Sequence, residues 1–285
     1  MSTAVIAQPT TNSVPNPNPN QALWEKGDFT RLAQTMRRSG EDVVASLNVE
    51  PHFNTLDVGC GDGTTALPLA YRAARVRGVD IARNLVDAGN RRFAAAGLAN
   101  GSIQQGDACD LAGVPDESCD LVLSMFGAMF APRPVDVARS LVRVTKAGGR
   151  IVMGNWIPGD PTLVAQILRI SAQYAPPPAG FISPILWGVP DEVVARFGEA
   201  GIPADRVETR RDTYRFEFAG SPAGFLAVFR DYYGPTMNAY AAAQAAGKVD
   251  DLHRELTALF AAQNRSTDPA LSVFDATFLR VTVRV

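Results

Sequence analysis

Only three cysteines occur among the 285 residues, Cys60, Cys109 and Cys119, and only two histidines, His52 and His253. The cysteines are odd in number and show no C-x-x-C spacing, so neither a zinc site nor a disulfide framework is expected, and a reducing cytoplasmic setting fits best. No apolar run reaches the length needed to span a membrane. Charge of one sign is also missing. The 27 basic and 29 acidic side chains leave a net charge of −2, which argues against an extensive phosphate-binding surface and a nucleic-acid partner. The basic clusters at 72–77 and 206–211 read as solvated helix-end and edge-strand faces. His52 precedes the first expected strand, and His253 sits among Asp250, Asp251, Arg254 and Glu255, so neither suits a general base.

What is present is concentrated in residues 54–64, Asn-Thr-Leu-Asp-Val-Gly-Cys-Gly-Asp-Gly-Thr. Leu56 and Val58 alternate into a glycine cluster, as at the end of a buried parallel strand. Gly59, Gly61 and Gly63 permit a sharp turn whose N–H groups can approach a ligand where a Cβ would collide. Cys60, inside that turn, stands where a small side chain is needed, not a nucleophile. Thr64 is placed to cap a helix through residues 66–70, with Pro68 tolerable in its first turn. Strand, glycine turn and helix start together predict a nucleotide-type site. The spacing is G-x-G-x-G, and Asp57 stands two residues before the first glycine. A carboxylate there suits a cationic group and would repel a pyrophosphate. A second acid, Asp80, ends the run Arg75-Val76-Arg77-Gly78-Val79-Asp80, where it can grip a ribose diol.

These residues, with GVDIA at 78–82, GDACDL at 106–111 and CDLVLSMF at 119–126, resemble the successive motifs of class I S-adenosylmethionine-dependent methyltransferases, the ubiquinone and menaquinone type among them. The resemblance covers residues 24–156 well and the remainder only in outline. It implies S-adenosyl-L-methionine as cofactor and a Rossmann-like α/β fold, a seven-stranded, mostly parallel, doubly wound sheet with an antiparallel last hairpin. Carried over by position, it implies that Asp57 with Gly59, Cys60, Gly61 and Gly63 holds the methionine part. Asp80 would take the ribose hydroxyls and Ile81 would pack on the adenine, with Asp107 and Ala108 at the adenine edge. Ser124 and Phe126 would lie beside the sulfonium. Trp24-Glu25-Lys26-Gly27-Asp28-Phe29 resembles the W-x-x-G-D-[FY] segment that folds over the cofactor in such relatives, which places Trp24 and Phe29 in a lid.

Residues 1–20 are rich in Ser, Thr, Asn and Pro and read as a disordered tail. Residues 21–156 read as a cofactor-binding core with that N-terminal lid, which is followed by a helical pattern through Leu32, Met36, Val43, Val44 and Leu47. Strands at 54–59, 75–80, 101–106, 119–124 and 150–156 alternate with helices at 64–73, 82–96 and 134–146, and Gly148-Gly149 precedes the last of these strands. Residues 157–285 are expected to complete the sheet, with strands near 207–218 and 273–285. They also carry two substrate-capping insertions, 157–187 and 221–264. The first contains Pro176-Pro177-Pro178 and shows little periodicity. The second reads as two or three helices, with Ser221 as cap, Pro222 in the first turn, and Phe225, Phe229, Tyr232 and Tyr233 on one face.

Of the 23 aromatic residues (14 Phe, 6 Tyr, 3 Trp), 13 fall within 156–240, which predicts an apolar roof over an acceptor pocket. Phe130, Asn155, Trp156, Phe225 and Phe229 are the expected acceptor contacts. Tyr232 or Tyr233 could orient an acceptor hydroxyl, and Asp231 is the candidate base. A sulfonium methyl is already electrophilic, so alignment is the main catalytic task. The expected function is in-line methyl transfer to a small, largely apolar or aromatic metabolite, with no metal and no membrane partner. A tRNA or protein methyltransferase would need a basic or peptide-sized groove. A non-catalytic cofactor-binding module would keep Asp57 and Asp80 without an acceptor pocket.

Overall fold

The chain begins, in a computed structural model that describes residues 21–285, with helices α1 (Gln21–Lys26), α2 (Thr30–Ala33) and α3 (Arg37–Ala45). The expected tail, 1–20, lies outside the described residues. Strands and helices then alternate: β1 (Asn54–Val58), α4 (Ala66–Ala70), β2 (Arg75–Asp80), α5 (Arg83–Ala95), β3 (Gly101–Gln105), β4 (Cys119–Met125), α6 (Pro134–Val144) and β5 (Thr145–Trp156). After them come α7 (Leu163–Tyr174), α8 (Pro190–Glu199), β6 (Val207–Ala219), α9 (Pro222–Tyr232), α10 (Gly234–Ala245), α11 (Val249–Gln263) and β7 (Leu271–Arg284).

The seven strands form one sheet in the order β3-β2-β1-β4-β5-β7-β6. The first five run parallel, and β7 pairs antiparallel with both β5 and β6. This is the Rossmann-like doubly wound sheet with an antiparallel closing hairpin. Its central strands are apolar on both faces because helices cover both. Leu121, Leu123 and Val152 share a cluster with Val44 of α3, Leu67 and Leu69 of α4 and Phe93 of α5. Val122, Ile151 and Met153 belong to a second cluster with Val137 and Leu141 of α6 and Ile167 of α7. From β1 the chain winds outward through β2 and β3, then crosses back to β4. Strand order therefore reverses between β1 and β4, and ligands of open α/β sheets bind beyond the strand ends at such a point.

Several local expectations are corrected. Thr64 does not cap α4: the N-cap position is Thr65, its side chain makes no cap bond, and its hydroxyl donates instead to Asp57. β5 begins at Thr145, so Gly148 and Gly149 lie inside the strand, where pairing with β4 shifts register. Gly148 at φ +79° supplies the backbone that such an irregularity needs. The first insertion is not aperiodic. Leu163, Val164, Ile167 and Ile170 bury one face of α7, and α8 follows beyond the proline run. The second insertion is three helices, and Ser221 does cap α9, accepting from Gly224 N at 3.2 Å. None of the described helices is long and apolar enough to cross a membrane.

Candidate active site

A cavity enclosing about 960 Å³ of empty space, open solvent at its mouth included, lies beyond the carboxyl ends of β1, β2, β3 and β4. Gly59 and Gly61 line its floor and Gly63 completes the turn behind them, with φ values of +65°, +56° and +85° for the three. A Cβ on Gly59 would strike the backbone of Gly127, 2.6 Å from its Cα, so the glycine lets two loops touch. A Cβ on Gly61 would meet no atom within 4 Å, and Gly61 lines the cavity. The turn makes room for a ligand there. The amides of Gly59, Cys60, Gly61 and Gly63, however, are engaged internally. Gly59 N and Cys60 N donate to Val79 O at 2.7 and 3.2 Å, Gly63 N to Cys60 O at 2.9 Å, and Gly61 N to Asp80 Oδ2 at 2.7 Å. The expectation that these N–H groups face the ligand is thus corrected, and the turn is no nest for a phosphate.

Acids dominate the polar side. Asp57 is wholly buried beneath the turn and does not line the cavity. Its Oδ2 accepts from Thr65 Oγ1 at 2.6 Å, and its Oδ1 has no partner. Burial pushes its carboxyl up to about 7, against the opposing bond from Thr65. Asp80 does line the cavity. It accepts Gly61 N on one oxygen and Ala82 N, at 2.9 Å, on the other. Burial pushes it up to about 6 even though both amides favour the charged form. Asp62 is better compensated: Arg37 grips it at 2.8 and 2.5 Å, and Arg92 lies 3.5 Å from its carboxylate. Arg37 also donates to Thr64 Oγ1. Two under-compensated carboxylates favour a ligand bearing a cationic group and hydroxyls.

The opposite wall is aromatic. Phe126 stands at φ +61°, a left-handed conformation costing a side-chain-bearing residue about 1–2 kcal/mol. Packing holds it there: Trp156 stacks on it with centroids 3.7 Å apart, and Tyr214 and Phe278 meet it edge-on at 5.0 and 5.3 Å. Tyr214 donates its hydroxyl to Met36 O at 3.0 Å. Ser124 ties this wall to the floor, donating to Val58 O at 2.7 Å and accepting from Ala128 N at 3.0 Å. Over the mouth, Trp24 packs on Phe130 at 5.1 Å and on Phe29 and Tyr233 at 5.9 Å. Glu25 accepts from Arg83 N at 3.0 Å, and Asn84 donates to Gly27 O at 3.2 Å, which holds α1 against the start of α5. Gly27 fits under the Tyr232 carbonyl, where a Cβ would come within 2.7 Å.

The expected cofactor residues mostly gather here. Trp24, Phe29, Cys60, Ile81 and Phe126 line the cavity, as do Asp107 and Ala108 at its β3 end. Ser124 and Gly63 support it from behind. The expected acceptor residues disperse. Phe130 lines the cavity, but Trp156 lies behind Phe126, and Asn155 is buried with both amide atoms unpaired. Phe225 and Phe229 pack against each other at 5.1 Å and against Phe260, inside the core. Of the 13 aromatics in 156–240, only Tyr214 lines the cavity. Tyr233 is buried beside Trp24, and burial pushes its phenol up. Tyr232 ends α9, away from the cavity lining. Asp231 is exposed and paired with Arg230 at 2.7 Å, which holds its carboxyl below the usual range.

Sequence reasoning did not identify Met36, Thr65, Met125, Tyr214 or Arg37. Alternation along β6 turns Tyr214 and Phe216 inward, yet only the fold decides which of them meets the cavity. Arg37 carries no spacing signal at all, because α3 reaches the glycine turn across 25 residues of chain.

Residues 56–153 match the family described as a methyltransferase domain. A Mycobacterium tuberculosis protein, itself uncharacterised, is 31% identical over 243 residues, covering 84% of this chain and 86% of its own. A demethylmenaquinone methyltransferase of Geobacillus kaustophilus is 36% identical over 115 residues, covering 39% of this chain and 49% of that enzyme. The YcgJ protein of Bacillus subtilis shares the fold with a TM-score of 0.54 at 18% identity, covering 87% of this chain and 98% of that one.

Proposed function

The chain belongs to the class I S-adenosylmethionine-dependent methyltransferases, and from that premise we propose that it methylates a small, largely apolar or aromatic metabolite in the cytoplasm. The residues present fit the cofactor: Asp57 keeps a buried carboxylate oxygen without a partner, and Gly61 leaves open space on the cavity side. Asp57 would balance the methionine ammonium from below the turn, and Asp80 would hold the ribose hydroxyls. Ile81 and Ala108 would flank the adenine, with Asp107 at its edge. The bound cofactor supplies an electrophilic methyl group.

The observation that carries the acceptor reading is the aromatic wall. Trp24, Phe29, Phe126, Phe130 and Tyr214 surround the cavity, and Arg37 and Arg92 nearby are already paired with Asp62. Such a chamber excludes water and aligns an apolar ring, and it offers no track for a phosphate backbone. The likeness to an enzyme named for a quinone acceptor supports a ring-bearing substrate. The test is labelled methyl transfer to a panel of small phenols, quinols, thiols, amines and acids, set against bulk tRNA and protein at two salt concentrations. Incorporation into the small molecules, insensitive to salt, is expected. Incorporation only into macromolecules, falling steeply with salt for tRNA, would defeat the proposal.

A further inference from the structure

We infer that the acceptor brings its own nucleophile: the atom methylated already carries a free lone pair at neutral pH, as a thiolate, an ionised acidic phenol or carboxylate, or an unprotonated amine does, and the chain contributes no general base. This rests on the methyl-transfer reading above and narrows its substrate class. A general base must reach the acceptor proton within about 2.6–3.2 Å and still hold an unprotonated site. Among the described residues, the cavity wall contains no His, Lys or Glu.

The acids that remain are each committed or misplaced. Asp62 is held between Arg37 and Arg92. Asp80 follows β2, two strands from β4 in the sheet order, and both of its oxygens accept backbone amides. Asp107 follows β3, at the sheet edge, and accepts Cys109 N at 2.8 Å. Asp57, the acid whose affinity for a proton would best suit a base, lies under the floor and does not line the cavity. The remaining titratable groups hold their protons at neutral pH: burial raises the Cys60 thiol and the Tyr214 and Tyr233 phenols. Tyr214 moreover already donates to Met36 O. Asp231 is outside, paired with Arg230.

In the transfer, the acceptor's lone pair forms the bond to the methyl carbon as the carbon–sulfur bond breaks, and the electron pair of that bond stays on sulfur as a neutral thioether. An anionic acceptor leaves neutral. An amine leaves as an ammonium ion that gives its proton to water afterwards. No step requires a proton to be taken by the protein.

The experiment uses the full chain with S-adenosylmethionine and three probes of similar size: thiophenol, 4-nitrothiophenol and phenol. Both thiophenols should be methylated, with kcat/KM rising tenfold per pH unit up to the acceptor's own pKa and level above it, so the inflection moves between the two thiols. Phenol should be at least about 100-fold slower at pH 7, the factor a base would otherwise recover. Asp231→Asn should leave the thiol profiles unchanged. An inflection at one common pH for all acceptors would overturn the inference. Phenol turnover as fast as that of thiophenol would also overturn it, and so would a lost inflection in Asp231→Asn. Cofactor binding by calorimetry without methylation of either thiol overturns it while leaving the family reading intact. Absence of cofactor binding would overturn both.

Discussion

Two buried regions of this protein use burial in opposite ways. At the ends of β1 and β2, Asp57 lies wholly buried under the glycine turn and Asp80 lines the cavity almost buried, their charge poorly compensated, and burial raises both pKa values. Between β6, β7, α9 and α11, the rings of Phe216, Phe225, Phe229, Phe260 and Phe274 meet at centroid distances of 5.1 to 6.3 Å. Those rings are apolar and are satisfied by packing alone. The first region is destabilising without a ligand and the second is stabilising regardless of one, so concentrated aromatic residues mark the fold's core here and not its chemistry.

The largest effect should come from breaking the aromatic side. Phe260→Ala removes a fully buried ring and should cost about 3–5 kcal/mol of stability, read from denaturant unfolding. If that loss is below about 1 kcal/mol, the cluster is not the core described. On the other side, Asp80→Ala should weaken S-adenosylmethionine binding by about 1.5–3 kcal/mol in calorimetry, the worth of hydrogen bonds to a charged acceptor. Unchanged affinity would remove Asp80 from the site.

Asp57→Asn sharpens the comparison through pH. The folded-state value, about 7, lies above the ordinary 3.8, so the folded protein binds this proton more tightly than the unfolded chain. The associated stability is fully present below pH 4 and is lost as pH rises through 7. The asparagine variant should therefore gain stability over wild type as pH rises from 4 to 8, and its cofactor affinity should no longer strengthen as pH rises through 7. A constant difference in unfolding free energy across that range would refute the assignment. The smallest effect is expected from Asp231→Asn, whose exposed pair with Arg230 should be worth less than about 0.5 kcal/mol in thermal unfolding.

The sequence alone determined that residues 54–80 form a strand, a glycine turn and a second strand ending in an acid. Positive φ, close backbone approach and alternating burial each restrict residue type locally. For the same reason the motifs at 78–82, 106–111 and 119–126 were legible, and with them the cofactor side of the site. The closing hairpin was implied by the family resemblance, and the alternation in the first half of β7 supported its last strand. The tertiary structure decided what periodicity cannot express. Phe225 and Phe229 show the same helical stripe whether they roof a pocket or fill a core, and the neighbouring Phe260 and Phe274, distant in sequence, decide for the core. Helix α7 packs Leu163, Val164, Ile167 and Ile170 under β7, α10 and α11 and keeps Arg169 and Gln173 exposed, a helical period that the reading of 157–187 as aperiodic missed. Arg37 reaches the glycine turn, and Met36 and Tyr214 reach the cavity, only because α3 packs against β6, where Ser39 bonds to both the N–H and the carbonyl of Arg215. A side chain's type is written locally, but its partner is chosen by which elements pack together.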